Sequence, residues 1–213
     1  MTLPEGKVIA VCAVHEDLPL AGAVGRSAID KRPIEGPVAI GEFGLTIDHS
    51  CDVKHHGGID QAVYAYSEDE ARRWASELGR DLGYGWFGEN LRISGMPTTD
   101  AMIGERWQIG ETLLEVTIAR TPCRTFADWS DEDHWVKRFY ERADVGCYLR
   151  VIEAGVIAAG DDVRVTSRPD HGVLVRDLIT GPDPASLEKL LAGEDLPPKV
   201  VRDATRWQRK MSK

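Results

Sequence analysis

The sequence lacks three features that commonly assign a chain to a class. It has no basic excess: 26 lysines and arginines stand against 35 aspartates and glutamates, a net charge of -9, whereas binding to nucleic-acid phosphates depends on positive charge. It has no Cys-x-x-Cys pair among its four cysteines, so it indicates neither a zinc ribbon nor a disulfide framework. It has no apolar run of membrane-spanning length. These absences argue against a broad nucleic-acid surface and predict free thiols in a reducing compartment.

The remaining bulk properties are those of an ordinary globular protein. The apolar segment 7–14 is short and is followed at once by Glu16 and Asp17, which is not the pattern of a signal peptide. A chain of 213 residues can bury its own core, and this length indicates one domain with a small addition. We therefore expect a cytoplasmic monomer or homodimer with no nucleic-acid or membrane partner.

Strand patterns dominate the first two thirds of the chain. Segments rich in β-branched residues predict strands at 7–14, 38–43, 62–66, 90–95, 112–120, 147–155 and 161–168. Segment 171–180 predicts a further strand or the approach to a helix. Glycine and proline interrupt these segments at short intervals, which is typical of a barrel or a strongly bent sheet.

Helical patterns predict four helices. They cover 68–78, with Ser67 and Glu70 as a capping box, about 132–143, with Ser130 and Asp133 in the same pattern, and then 184–193 and 196–211. We therefore predict a mainly β, α+β fold: a barrel domain over residues 1–180 and a small helical C-terminal appendage over residues 181–213.

Two segments have the composition of an anion-binding site. GRSAIDKRPI (25–34) carries Arg26 and Ser27 in a local basic cluster that suits a phosphate, or it is an unspecialised surface loop. In KHHGGIDQAVYAYS (54–67), Lys54, His55 and His56 supply donors for a phosphate or carboxylate, and the glycines let backbone amides approach a ligand; a hairpin turn with exposed polar residues is the alternative. The binding candidates of this segment also include Gly57, Gly58 and Ser67.

Two further segments carry candidates for catalysis. In GWFGENLRISG (85–95), Asn90 can donate and accept hydrogen bonds, which suits the edge of a heterocycle or the cap of an irregular loop. In IARTPCRTF (118–126), a strand ends at Pro122 and places Cys123 between Arg120 and Arg124. Cationic neighbours stabilise a thiolate, which is a nucleophile and a ligand for soft metals. The alternative for Cys123 is a buried structural cysteine.

Taken in order, these segments resemble one family. GRSAIDKRPI, GLTID (44–48), KHHGGIDQAVYAYS, GWFGENLRISG and IGERWQIGETLLEVTIARTPC (103–123) are similar to the MOSC domain, which is shared with the C-terminal part of molybdenum cofactor sulfurase. Within that family the chain looks most similar to the small bacterial stand-alone members linked to detoxification of N-hydroxylated bases. The resemblance covers about residues 20–170. Ile47 departs from it, because a glycine is common at that position.

The resemblance implies a distorted β-barrel, like the β-domain of pyruvate kinase, with a molybdenum–pterin cofactor bound at one end. It implies that Cys123 is the metal ligand, that Asn90 and His56 act beside the cofactor, and that Arg26 and Ser27 hold the pterin phosphate. The remaining cofactor-binding candidates are Lys54, His55, Gly57, Gly58, Ser67, Arg120 and Arg124.

Three functions follow from this resemblance. The first is reduction of N–O bonds in small N-hydroxylated bases or amidoximes, with electrons from a partner reductase, because the sequence has no flavin or nicotinamide fingerprint. The second is sulfur transfer, in which Cys123 accepts a persulfide from a donor protein and Arg120 and Arg124 stabilise it. The third is a non-catalytic cofactor-binding module, for which the altered turn at Ile47 is the motive.

Overall fold

A computed structural model describes residues 3–20, 24–52 and 56–212. The strands are β1 (Glu5–Val14), β2 (Leu18–Pro19), β3 (Arg26–Ser27), β4 (Lys31–Pro33), β5 (Val38–Gly41), β6 (Gly44–Leu45), β7 (Val63–Ser67), β8 (Leu91–Ser94), β9 (Arg106–Ile109), β10 (Thr112–Ala119), β11 (Cys147–Glu153), β12 (Gly155–Ile157) and β13 (Asp162–Ser167). The helices are α1 (Glu68–Leu78), α2 (Arg124–Ser130), α3 (Trp135–Arg142), α4 (Asp177–Thr180), α5 (Pro184–Leu191) and α6 (Pro198–Met211), with a 3-10 turn at Ile59–Gln61.

Seven strands close a mixed barrel. Its order is β13-β9-β10-β11-β7-β8-β1, and β1 returns to pair with β13. All neighbours are antiparallel except β7 and β8, which run parallel. The ten-residue β1 bends through an irregularity between Val8 and Ala10, so its start pairs with β13 and its end, from Cys12 to Val14, pairs with β4. The prediction of a barrel with helices is therefore confirmed.

The interior is filled by alternate strand residues, as expected of a small barrel. Fully buried side chains on its strands include Val8, Leu91, Trp107, Leu114 and Leu149. The strand predictions at 7–14, 38–43, 62–66, 90–95, 112–120, 147–155 and 161–168 correspond to β1, β5, β7, β8, β10, β11 and β13. Segment 171–180 contributes a single bridge from Leu174 to Met102, and then the short helix α4.

An aromatic cluster joins α1, α2 and α3 to the barrel. Trp74 of α1 lies 4.6 Å from Trp135 of α3, between ring centroids, and Phe126 of α2 lies 5.2 Å from Phe139. Burial of these large side chains is the main stabilising contribution of this layer. The helical spacing of Trp135, Phe139 and Tyr140 predicts that all three pack in the core. Trp135 and Phe139 are buried, but Tyr140 is 38% exposed, so the prediction is wrong for Tyr140.

Both capping predictions are wrong. The Ser67 hydroxyl makes no capping hydrogen bond, and Glu70 turns inward, where it accepts hydrogen bonds from the Thr98 hydroxyl and the Thr99 N–H, both at 3.2 Å. The segment predicted as one helix over 132–143 begins later, at Trp135, and a separate helix, α2, precedes it. The Ser130 hydroxyl donates instead to the carbonyl of Ala127 within α2.

The C-terminal helices pack against the barrel domain. Trp207 of α6 donates its indole N–H to the Leu178 carbonyl at 2.8 Å. Leu187 and Leu190 of α5 and Val200 of α6 belong to the common core. The helices predicted at 184–193 and 196–211 correspond to α5 and α6. Among the described residues, no helix is long and apolar enough to cross a membrane.

Candidate functional site

A cavity of about 400 Å³ opens at the end of the barrel where β10 ends and where β7, β8 and β11 begin. Its lining comes from segments far apart in the sequence: Ser27, Lys31, Asp48, His56, Gly58, Tyr64, Asn90, Arg120, Cys123 and Tyr148 all contribute. The cavity thus brings together side chains from all four segments that the sequence singles out.

Cys123 and Arg120 enter the cavity because β10 stops at Ala119. Pro122 cannot donate to a strand ladder, and Cys123 directly precedes α2. Arg120 is buried, with its guanidinium 3.8 Å from the centre of the Phe126 ring. Its Nη1 atom has no hydrogen-bond partner in the part of the chain that the structure describes. A buried guanidinium nitrogen without a partner is a candidate contact for an anion.

The Cys123 thiol is acidic despite being half-buried. Burial alone would raise its pKa, but a hydrogen bond from His56, the charge of Arg120 and the N–H of Phe126 together lower the pKa to about 7. A substantial fraction of Cys123 is therefore thiolate at neutral pH, as a nucleophile or metal ligand requires.

The arginine on the other side of Cys123 does not contribute. Arg124 begins α2, which directs its side chain outward; the side chain is 92% exposed and lies 3.7 Å from Asp128. Ser67 is also absent from the cavity: it is fully buried at the start of α1, and its hydroxyl has no partner among the described residues. Lys54 and His55 lie outside the described residues.

Lys199 of α6 supports the turn that follows His56. Its backbone N–H donates to Asp60 Oδ2 at 2.8 Å, and its ammonium donates to the Gly57 carbonyl at 2.7 Å and to the Gln61 side-chain oxygen. Gly58 adopts a φ of 89°, which an L side chain rarely adopts, so the turn depends on this glycine. Sequence reasoning missed Lys199, because nothing in its local pattern indicates a contact with residues about 140 positions away.

Asp48 joins the chain segments that form one wall of the cavity. Its carboxylate accepts hydrogen bonds from the Val14 N–H at 2.9 Å, from the Asn90 amide at 2.7 Å and from the Lys31 ammonium. The Asn90 amide also donates to the Cys12 carbonyl at 3.2 Å, and its oxygen accepts from the Tyr64 N–H at 3.1 Å. Asn90 lines the cavity, but its hydrogen bonds hold the wall together.

The loop before Asn90 is fixed by its own glutamate. Glu89 is fully buried and accepts the N–H groups of Gly85 at 2.8 Å and Phe87 at 3.0 Å. Gly85 packs so closely on β4 that a Cβ atom there would lie 2.1 Å from the Lys31 carbonyl oxygen. The glycine, the glutamate and Asn90 together set the position of this wall.

Ile47 stands where a glycine is common in the family. It has no positive φ and is 54% exposed. The hydrogen bonds of the neighbouring Asp48 are formed with isoleucine at this position.

Arg26 and Ser27 lie at the mouth of the cavity. Arg26 is 65% exposed at its side chain and forms an ion pair with Asp17 at 3.1 Å. His49 and Cys51 line the same part of the cavity. Burial and the neighbouring Asp17 carboxylate raise the pKa of the Cys51 thiol, so the two cysteines that line the cavity differ in acidity.

Comparison with known proteins gives consistent matches. The MOSC domain model matches residues 52–164. The chain is 29% identical to the uncharacterized protein YflK of Bacillus subtilis over 150 residues, which is 70% of this chain and 68% of YflK. It is 29% identical to protein YiiM of Escherichia coli over 145 residues, which is 67% of this chain and 65% of YiiM. It is 31% identical to a reductase of Gibberella moniliformis over 155 residues, which is 70% of this chain and 28% of the reductase.

Solved structures share the fold. The crystal structure of YiiM from Geobacillus stearothermophilus superposes with a TM-score of 0.77 at 21% identity, over 94% of this chain and 98% of that one. The YiiM structure from Escherichia coli gives a TM-score of 0.72 at 22% identity, over 100% and 94% of the two chains.

Proposed function

Because the chain belongs to the MOSC domain family, which is associated with molybdenum cofactor binding in general, we propose that its cavity binds a molybdenum–pterin cofactor. We propose further that the loaded protein reduces the N–O bond of N-hydroxylated bases or amidoximes. The observation that carries this proposal is the acidic Cys123 thiol at the cavity wall, beside His56 and Arg120.

The residues that line the cavity suit such a group. Cys123 offers a soft thiolate ligand for the metal. The unpaired Nη1 of buried Arg120 offers a donor for an anionic oxygen. Arg26 and Ser27 offer a cation and a hydroxyl for the phosphate at the cavity mouth, and Gly57 and Gly58 line the same cavity. When bound, the cofactor supplies the two-electron redox chemistry, which with two protons converts an N-hydroxyl group to an amine or amidine and water.

The protein would supply the cofactor with the Cys123 thiolate, the positive charge of Arg120 and a cavity wall fixed by hydrogen bonds. The hydrogen bond from His56 to Cys123 Sγ favours loss of the thiol proton near neutral pH. Arg120 keeps positive charge beside the sulfur, and the part-buried contacts among Asp48, Lys31 and Asn90 hold that wall of the cavity in place. No flavin- or nicotinamide-binding pattern occurs in the sequence, so we propose that electrons come from a partner protein.

The test is expression in a molybdenum-replete host, followed by measurement of bound molybdenum and pterin and of amidoxime reduction with a reduced viologen dye. We expect near-stoichiometric metal and turnover in the unmodified protein and loss of both in Cys123→Ala. Arg124→Ala is the matched control, since its exposed side chain points away from the cavity. Full turnover by a folded Cys123→Ala variant would refute the proposal.

Persulfide transfer is a second candidate, favoured by the same low pKa. The Cys123 thiolate would attack the terminal sulfur of a donor protein's persulfide, form a new S–S bond and release the donor's cysteine thiolate. Incubation with a cysteine desulfurase and free cysteine, followed by intact-mass measurement, tests it. Addition of one sulfur atom to the unmodified protein but not to Cys123→Ala supports sulfur transfer, and no addition to either contradicts it.

A further inference from the structure

A second group of potential metal ligands lies at the mouth of the cavity, separate from Cys123. Asp17 follows β1, and His49 and Cys51 belong to the loop after β6. Their ligand atoms all lie within 4.8 Å of one another. His49 Nε2 is 2.7 Å from Asp17 Oδ1, and Cys51 Sγ is 3.4 Å from the same oxygen.

We propose that Asp17, His49 and Cys51 bind a zinc ion. A thiolate, an imidazole and a carboxylate form a donor set that suits Zn²⁺ better than the harder cations Mg²⁺ and Ca²⁺. In a tetrahedral zinc site, ligand atoms lie about 3.3–3.6 Å apart, as follows from metal–ligand distances of roughly 2.0–2.3 Å. The separation between Cys51 and Asp17 already matches, and that between His49 and Asp17 must widen by about 0.6 Å.

The surroundings allow that adjustment. The His49 side chain is 49% exposed, so a small rotation meets little resistance. Binding exchanges the thiol proton of Cys51 for the metal and releases it to solvent, which makes binding stronger as the pH rises. No electron transfer is involved.

Arg26 supports the carboxylate ligand of the site. It pairs with Asp17 Oδ2 at 3.1 Å, which leaves Oδ1 for the metal and fixes the orientation of the carboxylate. Polar contacts to a ligating carboxylate from outside the ligand set are the usual support of metal sites. Its charge also balances part of the negative charge of the aspartate and the thiolate.

The site leaves a coordination position for a ligand. Three protein ligands and one open position are the arrangement of zinc sites that bind water or substrate. His49, Cys51 and Arg26 all line the cavity, so the open position is available to water or to an anionic oxygen of a molecule in the cavity. The proposal does not depend on the function proposed for Cys123.

Titration of the metal-free full chain with Co²⁺, and then with Zn²⁺, tests the site. We expect one Co²⁺ per chain, a thiolate-to-cobalt charge-transfer band, and displacement by Zn²⁺. Cys51→Ser should abolish the band, and His49→Ala should weaken binding by about tenfold or more. Cys123→Ser is the matched control, because it removes the other cavity thiol and should retain the band.

Two outcomes would overturn the assignment: no charge-transfer band in the unmodified protein, and a band that persists in Cys51→Ser. If the persisting band is lost in Cys123→Ser, the metal is bound at Cys123 instead. Circular dichroism checks that each variant is folded; Cys51 and His49 are partly exposed, so we expect both variants to fold.

Discussion

Two of the three groups that lower the pKa of Cys123 are side chains that lie far from each other in the chain. His56 comes from the turn before β7, and Arg120 from the end of β10. The residue types could be predicted from the sequence, since His56, Arg120 and Cys123 all stand in unusual segments. The absence of Arg124 from the cavity could not be predicted. It depends on α2 beginning directly after Cys123 and directing the Arg124 side chain to solvent.

The first prediction concerns this thiol. In His56→Ala, burial still raises the pKa of Cys123 and the opposing hydrogen bond is lost, so the pKa should rise above 7. A rise of one unit lowers the thiolate fraction at pH 7 about fivefold. The pH dependence of Cys123 alkylation, followed by mass spectrometry of its peptide, measures this. Arg124→Ala serves as the control and should react like the unmodified protein; equal shifts in both variants would contradict the assignment to His56.

At the scale of single elements, α1 shows where pattern reasoning succeeds and fails. The helix has the predicted bounds 68–78, because Gly79 takes the left-handed conformation that ends a helix. The capping pattern at Ser67 and Glu70 misleads, since Glu70 faces the interior and finds Thr98 and Thr99 there. Local sequence spacing indicates which hydrogen bonds a side chain could form, and tertiary packing determines which of them it forms.

The second prediction follows from the burial of Glu70. Burial, and then the charge of Asp144, raise its pKa from 4.5 to about 7. The folded protein therefore holds this proton more tightly than the unfolded chain. The stabilising contribution is complete below pH 4.5 and is lost as the pH rises through 7. The loss amounts to something on the order of 3 kcal/mol.

Urea unfolding of Glu70→Gln at pH 5 and pH 8 tests this pH dependence of the stability. The amide stays neutral and can keep hydrogen bonds to Thr98 and Thr99, so the variant should be more stable than the unmodified protein at pH 8 and similar to it at pH 5. A variant that is destabilised equally at both pH values would show that Glu70 does not titrate in this range.

The third prediction concerns the support that α6 gives to the turn after His56. Lys199→Met removes two ammonium hydrogen bonds, to Gly57 and Gln61, and keeps the side chain's length. The turn should loosen, the His56–Cys123 contact should weaken, and the pKa of Cys123 should rise by part of the shift seen in His56→Ala.

Alkylation across pH separates this positioning role from a purely structural one. Lys210→Met is the matched control, because Lys210 lies on the same helix but is exposed over the Trp207 ring. A Lys199→Met variant with lower thermal stability and an unchanged alkylation profile would limit Lys199 to a structural role.

At the scale of the whole molecule, closure of the barrel brings the site together. Strand candidates could be predicted because each has its own local pattern, but the pairing of β1 with both β13 and β4 could not, because it depends on a bend in the middle of one strand. The same holds for the C-terminal helices. The sequence predicts them as an appendage after residue 180, and their contacts with Leu178 and Asp60 appear only in three dimensions.

The fourth prediction tests whether residues 181–213 are dispensable. A chain that ends at residue 180 loses Leu187, Leu190 and Val200 from the common core. Burial of each such side chain contributes roughly 1.5–3 kcal/mol, so the loss is about 5–9 kcal/mol, comparable with the total stability of a typical domain, about 5–15 kcal/mol. The shortened chain should therefore lack a cooperative thermal transition. A chain that ends at Gln208 removes, among the residues that the structure describes, only the exposed positions 209–212, and should unfold near the temperature of the full chain. If the chain ending at residue 180 instead unfolds cooperatively at that temperature, the helices are an independent addition, and the support of the cavity by Lys199 is not required for folding.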